Sequence, residues 1–213
     1  MKNETAKRNH SPETASPTAL ESGRSIDLDA LERAFAMLVD ATPLEADQRQ
    51  ETARRAAEAW AHSMLDGYAV SPETLFSETY PVPRAETARE LVLVKDIDFH
   101  GLCPHHLLPF RGVAHVAYVP SGNLASLSAI ARLVHCFAHR LEIQEVVTRR
   151  IGESLMRLLP AAGAAVALST DQACMSMRGV KQTGAKTLTR YFGGLFHDDP
   201  SLRGEFVGDT SSR

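Results

Sequence analysis

Two apolar segments in the middle of the chain flank a short cluster of cysteine and histidine. Residues 90–99 read ELVLVKDIDF and residues 110–120 read FRGVAHVAYVP, and both are rich in the valine and aromatic residues that favour strands. Between them lie Cys103, His105 and His106. We therefore predict two β-strands with a group of potential metal ligands held between them.

The part of the chain before these strands has a helical pattern. Asp27 is the predicted N-cap of a first helix, whose apolar residues recur at helical spacing: Leu28, Leu31, Phe35 and Leu38. A second helix is predicted from about Glu45 to Leu65, with Gly67 ending it. Residues 71–87 contain three prolines and are predicted to be an irregular connection.

Two helices and three strands are predicted after the central strands. The helices cover roughly residues 126–139 and 141–159, and the second carries one apolar stripe: Ile143, Val147, Ile151, Leu155 and Leu158. The three strands are predicted in GAAVALST (163–170), ACMSMRGVK (173–181) and KTLTRYFGGLF (186–196). Helices followed by a β-rich part with a helical pair inserted indicate an α+β protein.

Composition excludes several classes of protein. The chain is 44% hydrophobic and 23% charged, which is typical of a soluble protein with one core. It contains no run of 18 apolar residues, and its first 25 residues are polar, so we expect a disordered tail, no membrane partner and a cytoplasmic location. A net charge of −3 without a basic stripe indicates no nucleic-acid partner. Three cysteines do not indicate a disulfide framework.

The cysteine and histidine cluster has two interpretations. Cys103 and His106 are separated by two residues, a spacing that lets both side chains reach one zinc ion from a tight turn. A packed cysteine beside locally hydrogen-bonded histidines is the commoner outcome for such a pair alone. Cys174 is a third candidate ligand, although a lone cysteine is more often a buried small apolar residue. The residues alone leave both interpretations open.

Three longer segments resemble the GTP cyclohydrolase I family in their order and spacing. They are CPHHLLPFRGVAHVAYVP at 103–120, LSAIARLVHCFAHRLEIQE at 127–145 and CMSMRGVKQTGAKTLTRYFGGLF at 174–196. The resemblance covers about residues 27–208. Three ordered motifs with matching intervals are much more specific than any one of them.

The resemblance implies a fold, an assembly and a reaction. The fold is a T-fold, with a four-stranded antiparallel sheet and two helices on one face. The implied organisation is a polar tail (1–25), an N-terminal helical region (26–88) and a T-fold catalytic domain (89–213). Such subunits form a toroidal homodecamer with active sites between subunits. The reaction converts GTP into 7,8-dihydroneopterin triphosphate and formate, a step that supplies pterin for tetrahydrofolate biosynthesis and one-carbon metabolism.

The resemblance also assigns roles to individual residues. Cys103, His106 and Cys174 match the three ligands of a catalytic Zn²⁺ whose fourth ligand is water, and the water attacks C8 of guanine. His105 matches the histidine that gives a proton to the opening imidazole ring, a role suited to a group that titrates near neutral pH.

Further roles concern the substrate. Glu145 matches the carboxylate that accepts hydrogen bonds from N1 and N2 of guanine, although a glutamate on a solvated helix face is the alternative. Arginine side chains match those that bind the triphosphate, and Ser128 is a candidate hydroxyl donor. The arginines are Arg132, Arg178 and Arg55. Cys136 matches no ligand and is predicted to lie in the core.

Three positions depart from the family pattern. Pro104 replaces a glutamate, Ala129 replaces a lysine that binds triphosphate, and Gln172 replaces a histidine two residues before the second cysteine ligand. Losing a histidine that transfers a proton typically removes about 10²–10⁴ of rate.

Three hypotheses follow from this pattern. The first is a working GTP cyclohydrolase I. The second is a divergent zinc hydrolase that opens the ring of a related guanine compound without completing the pterin. The third is a non-catalytic T-fold protein that binds a purine or pterin.

Overall fold

The computed structural model of the chain describes residues 25–81 and 90–211. All but the last residue of the predicted tail, residues 82–87 of the predicted connection and the two residues after it lie outside these ranges. Within them, no helix combines the length and the apolar character that crossing a bilayer requires.

The N-terminal part is a pair of packed helices, α1 (Leu28–Asp40) and α2 (Ala46–Ala59). Asp27 caps α1 as predicted, because its side chain accepts a hydrogen bond of 2.9 Å from the backbone N–H of Ala30. The predicted long second helix is divided, since α2 continues as a π-helical turn over Trp60–Met64 and a 3₁₀ turn over Asp66–Ala69. A short helix α3 (Pro72–Leu75) and strand β1 (Thr79–Pro81) follow.

The centre of the protein is a four-stranded antiparallel sheet. Its strands are β2 (Val92–Cys103), β3 (Leu108–Pro120), β5 (Ala161–Gln172) and β6 (Thr187–Gly194), in the spatial order β2-β3-β5-β6. A short strand β4 (Asn123–Ala125) pairs with β1. Two helices, α4 (Leu127–Ala138) and α5 (Gln144–Leu158), pack on the sheet. This arrangement confirms the predicted T-fold.

Two apolar clusters stabilise the sheet. The larger one joins α4 and α5 to the sheet, and the predicted stripe of α5 is fully buried in it at Val147, Ile151 and Leu155. The smaller cluster joins Ala117 and Ala165 to Phe196 and Phe206 of the C-terminal helices. Alternate residues of β3 thus face different clusters, as the two-residue period of a strand requires.

The strand register defines two ends of the sheet. Cys103 pairs with Leu108 at one end, which we call the hairpin end, and Pro120 pairs with Ala161 near the other. The last turn of α4 reaches the hairpin end, since a Cβ at Gly101 would lie 2.7 Å from the carbonyl oxygen of Ala138. Helix α5 starts at the hairpin end and runs away from it, because β5 returns the chain to that end.

The predicted strand over residues 173–181 is wrong. Ala173–Ser176 form a short helix, α6, and the chain then turns. The N–H of Lys181 donates to the carbonyl of Arg178 at 3.2 Å, and Gly179 and Lys181 have φ angles of 58° and 49°. These left-handed residues cannot continue a strand, and the apolar Met175 and Met177 that suggested one are exposed.

The predicted last strand is too long, and two helices after it were not predicted. Strand β6 ends at Gly194, and α7 (Leu195–Asp198) and α8 (Pro200–Ser211) follow. The apolar residues of α8 are too few to show a helical period: Leu202, Phe206 and Val207.

Gly152 provides a test of the packing between α5 and β6. A Cβ at this position would lie 2.0 Å from Cδ1 of Tyr191. We expect Gly152→Ala to lower the free energy of unfolding by about 1–3 kcal/mol, because the ring must move within a packed core. Urea unfolding followed by circular dichroism measures the change. Gly204→Ala in α8 is the matched control, since nothing lies within 4 Å of a Cβ there, and it should stabilise by about 0.5–1 kcal/mol. Equal stability of the two variants would contradict the described packing.

Candidate active site

The hairpin end carries the cysteine and histidine cluster. Cys103 is the buried last residue of β2, and its carbonyl accepts a hydrogen bond of 2.9 Å from the N–H of Leu107, which closes the turn. His105 and His106 are exposed in that turn, with ring centroids 6.5 Å apart and planes at 79°. Leu107 has a φ of 54°, a conformation that costs a branched residue free energy. The turn therefore exposes both imidazoles, with their ring planes nearly perpendicular.

Cys174 lies at the same end of the sheet. Gln172, the last residue of β5, pairs with Phe110 of β3, and Leu108 two residues earlier pairs with Cys103. Helix α6 starts directly after Gln172 and packs against β3. Cys174 is therefore carried to the hairpin end, where it is half-buried.

The predicted zinc ligands lie at the same end of the sheet, but their side chains are not arranged as a metal-coordination site. Across residues 25–81 and 90–211, no three His, Cys, Asp or Glu side chains are arranged so that they could hold a metal ion. The donor chemistry does suit zinc, because two thiolates and one imidazole form a common catalytic zinc set. The roles of Cys103, His106 and Cys174 as ligands stay a prediction.

Glu145 also lies at the hairpin end. It is exposed in the first turn of α5, and no described residue forms an ion pair or hydrogen bond with its carboxylate. The preceding residue, Gln144, is only 3% exposed. Its Nε2 donates to the carbonyls of Leu168 and Thr187, at 3.2 and 3.1 Å. Gln144 thus anchors the first turn of α5 to β5 and β6, which fixes the backbone position of Glu145.

Gln172 belongs to the same hydrogen-bond network. Its Nε2 donates to Oε1 of Gln144 at 2.8 Å and to Oγ1 of Thr170 at 3.0 Å. The hydroxyl of Thr170, a fully buried residue, donates to the same Gln144 oxygen at 2.5 Å. Breaking such a buried network typically costs about 1–3 kcal/mol for each group left unpaired. Sequence reasoning singled out Glu145 and Gln172 and missed Gln144, whose only signal was its place beside Glu145.

The predicted phosphate-binding residues are distributed over the chain. Arg178 is exposed in the turn after α6, near the hairpin end. Ser128 is exposed at the start of α4, ten residues and about 15 Å of helix before Ala138. Arg132 is exposed one turn further along α4. Arg55 lies on α2, where it pairs with Glu51 at 3.0 Å. One chain therefore brings Arg178 near the hairpin end and leaves Ser128 at the opposite end of α4.

Comparison with known proteins identifies the family. The family model for GTP cyclohydrolase I matches residues 31–211. A GTP cyclohydrolase 1 of Ralstonia nicotianae is 35% identical over 91% of this chain and 92% of its own. That of Brevibacillus brevis is 38% identical over 86% and 97%. The chain belongs to the GTP cyclohydrolase I family.

A third relative is similar over a shorter range. The protein named GTP cyclohydrolase 1 2 from Pseudomonas syringae pv. tomato is 41% identical over 74% of this chain and 84% of its own. Among solved structures, the apo form of the archaeosine synthase QueF-Like aligns with 53% of this chain and 96% of its own. Its TM-score of 0.42 and identity of 15% are too low to bear on function.

The three departures of this GTP cyclohydrolase I family member have different surroundings. Pro104 is exposed in the hairpin turn. Ala129 is 3% exposed in the core below α4, so a lysine there would have to extend its chain past packed residues to reach solvent. Gln172 is held by the network described above. The sequence could not distinguish a buried alanine from an exposed one.

Sequence reasoning also missed a histidine cluster between the N-terminal part and the sheet. The ring of His139 lies 4.3 Å from that of His100 and 5.1 Å from that of His135, measured between centroids. Nδ1 of His139 donates to the carboxylate of Asp66 at 2.7 Å. Its Nε2 is buried without a partner among the described residues. The i, i+4 spacing of His135 and His139 on one helix was the available signal.

A buried arginine reinforces this junction. Arg140, 3% exposed, donates to the carbonyls of Gly67 and Val70 at 2.9 and 3.1 Å and to Sγ of Cys136 at 3.3 Å. Its guanidinium also lies over the ring of Tyr68. Cys136 is buried in the core as predicted, and burial raises the pKa of its thiol despite the nearby Arg140. The 3₁₀ turn is therefore fixed to the end of α4.

The histidine cluster makes stability depend on pH. Burial lowers the pKa of His139, opposed by the hydrogen bond to Asp66 and assisted by His100 and His135. An unfolded histidine binds a proton near pH 6.5, whereas folded His139 binds it only at lower pH. The unfolded state therefore takes up more protons as the pH falls below about 6.5, and stability present above that pH is lost on acidification.

Urea unfolding between pH 7 and pH 5 measures this dependence. We expect the free energy of unfolding of His139→Gln to fall less steeply with decreasing pH than that of the unmodified protein. His62→Gln, which alters an exposed histidine of the π-helical turn, should keep the original slope. Identical slopes in the two variants would rule out His139 as the source.

Proposed function

We propose that this chain is a GTP cyclohydrolase I, which hydrolyses GTP to 7,8-dihydroneopterin triphosphate and formate. The observation that most supports this proposal is the match of the GTP cyclohydrolase I family model to residues 31–211. The position of Cys103, Cys174 and Glu145 at one end of the sheet supports the same conclusion.

Cys103, His106 and Cys174 would hold a zinc ion. A zinc ion held there would supply the activation of water at neutral pH that hydrolysis at C8 of guanine needs. Cys103 is fixed by the sheet, whereas His106 and Cys174 lie on a turn and a four-residue helix.

Other side chains bind and orient the substrate. The exposed carboxylate of Glu145 accepts the hydrogens on N1 and N2 of guanine, which distinguishes guanine from adenine. His105, in the turn beside His106, gives a proton to the opening imidazole ring. Arg178 binds phosphate oxygens through its planar guanidinium. All three side chains are exposed and at or near the hairpin end.

The remaining phosphate-binding residues favour a second copy of the chain in the active site. Ser128 lies at the start of α4, away from the hairpin end, and Arg132 lies one turn further along the same helix. A neighbouring subunit can bring its own Ser128, Arg132 or Arg55 to the first subunit's hairpin end. We therefore propose a homo-oligomer, a decamer by resemblance, with active sites between subunits.

The surroundings of Gln172 favour a second candidate function. Its amide nitrogen is occupied by Gln144 and Thr170, and an amide cannot exchange a proton at neutral pH. A reaction that needs a proton at this position would stop after ring opening. The second candidate is thus a zinc hydrolase that opens the ring of a guanine compound and releases an intermediate.

One experiment separates the two candidates. The zinc-loaded protein is incubated with GTP, GMP and guanosine, and formate release and pterin fluorescence are followed separately. A GTP cyclohydrolase I gives both products from GTP at matching rates. Formate without pterin supports the second candidate, and neither product from any of the three compounds would refute both.

Zinc content tests the proposed ligands. Cys174→Ser should remove most of the zinc, because a serine hydroxyl is a much poorer ligand than a thiolate. Cys136→Ser is the matched control, since Cys136 is buried beside Arg140, and its zinc content should stay at about one per chain. Elemental analysis of the purified variants measures both. Full zinc retention by Cys174→Ser would show that Cys174 is not a zinc ligand.

Guanine recognition tests Glu145. Glu145→Gln should weaken guanine-nucleotide binding by about 2 kcal/mol or more, because the amide presents a donor where the ring also presents one. Glu153→Gln, on the same helix and exposed beside Arg149, should bind as the unmodified protein does. Isothermal titration calorimetry measures both affinities. Equal binding by the two variants would show that Glu145 is a solvated helix residue that does not contact guanine.

A further inference from the structure

The side chain of Gln172 has only one polar atom available to another molecule. Its Nε2 carries two protons, and these are directed at Oε1 of Gln144 and Oγ1 of Thr170. Among the described residues, none donates a hydrogen bond to its Oε1. Gln172 is half-buried, and its Oε1 is not among the buried, unpartnered side-chain atoms of the described residues, so this oxygen is accessible while the nitrogen is held inside.

The orientation of this amide follows from backbone groups. Nε2 of Gln144 lies 3.2 Å from the carbonyl of Leu168 and 3.1 Å from that of Thr187. Carbonyl oxygens only accept, so the nitrogen of Gln144 must face them. Oε1 of Gln144 therefore faces the other way and needs donors, which Thr170 and Gln172 provide.

Two more threonines join the network. The hydroxyl of Thr148 donates to the carbonyl of Gln144 at 2.8 Å, so its oxygen must accept from Thr189, 2.6 Å away. The oxygen of Thr189 lies 3.0 Å from Nε2 of Gln144 and shares the two protons of that nitrogen with the two carbonyls. A reversed Gln172 amide would place its oxygen against that of Gln144, an arrangement with no proton between two acceptors.

We propose that Gln172 recognises the substrate by accepting one hydrogen bond, with Gln144 and Thr170 as positioning residues that fix its oxygen outward. This role rests on the proposed function, because it needs a guanine nucleotide at the hairpin end. The nucleotide offers suitable donors in its ribose hydroxyls and ring N–H groups. A histidine at this position could donate to the same Gln144 oxygen and exchange a proton through its other nitrogen. In this chain the position serves recognition.

Equilibrium binding of 7-deaza-GTP to the zinc-loaded protein tests this role, because a carbon in place of N7 prevents ring opening. Gln172→Met, which removes the acceptor, should bind about three- to tenfold more weakly. Thr170→Val, which frees the amide to rotate, should weaken binding by a smaller factor. Because both act through one hydrogen bond, the double variant should bind no more weakly than Gln172→Met alone.

Thr189→Val is the matched control, since two backbone carbonyls still orient Gln144 in its absence, and it should bind as the unmodified protein does. Gln172→Leu repeats the main test with a different shape, and thermal melting and zinc content verify that each variant is folded and loaded. Unchanged affinity in Gln172→Met or Thr170→Val, or effects that multiply in the double variant, would overturn the inference alone. Failure of the unmodified protein to bind 7-deaza-GTP would overturn the proposed function as well.

Discussion

The antiparallel register of β2, β3 and β5 decides which residues of this chain can act together. Cys103 and Cys174 are far apart in sequence, yet each lies within two residues of a strand pair at the hairpin end. Helix α5 starts at the same end and brings Glu145 with it. A shift of one residue in this pairing would turn every side chain of a strand to the opposite face. The apolar clusters on both faces of the sheet exclude such a shift.

Buried polar groups fix the positions of elements that the apolar core alone does not fix. A hydrophobic contact has no direction, so α5 could slide slightly along the sheet without losing much buried area. Gln144 removes this freedom, because its amide requires two particular carbonyls on β5 and β6. Arg140 does the same for the 3₁₀ turn of the N-terminal part. No described carboxylate pairs with that arginine, so its charge depends on carbonyl oxygens, a sulfur atom and aromatic rings.

Much of the fold could be predicted from local patterns. The cap at Asp27 and the buried stripe of α5 were correct because a helix that packs on a sheet must repeat its apolar residues every three or four positions. The strand predicted over residues 173–181 failed because Met175 and Met177 are exposed, which apolarity alone does not reveal. The hydrogen bond from Gln172 to Gln144 and the ring contact of His100 with His139 join residues far apart in sequence. Such pairs leave no periodic signal, so only the folded chain discloses them.

The bulge in β2 affects how molecules of this protein meet at high concentration. Pairing between β2 and β3 shifts between Val94 and Ile97, and Asp96 in between has a φ of 55°. Strand β2 is an outer strand of the four-stranded sheet. The bulge therefore divides an outer edge of the sheet into two segments that run in different directions. A foreign strand can follow only one part before it meets the bulge, which discourages uncontrolled fibrous growth. The part from Ile97 to Cys103 is also blocked at two points, because the carbonyls of Asp98 and Leu102 already accept hydrogen bonds from Nε2 of His135 and from the N–H of Glu142, at 3.1 and 3.2 Å.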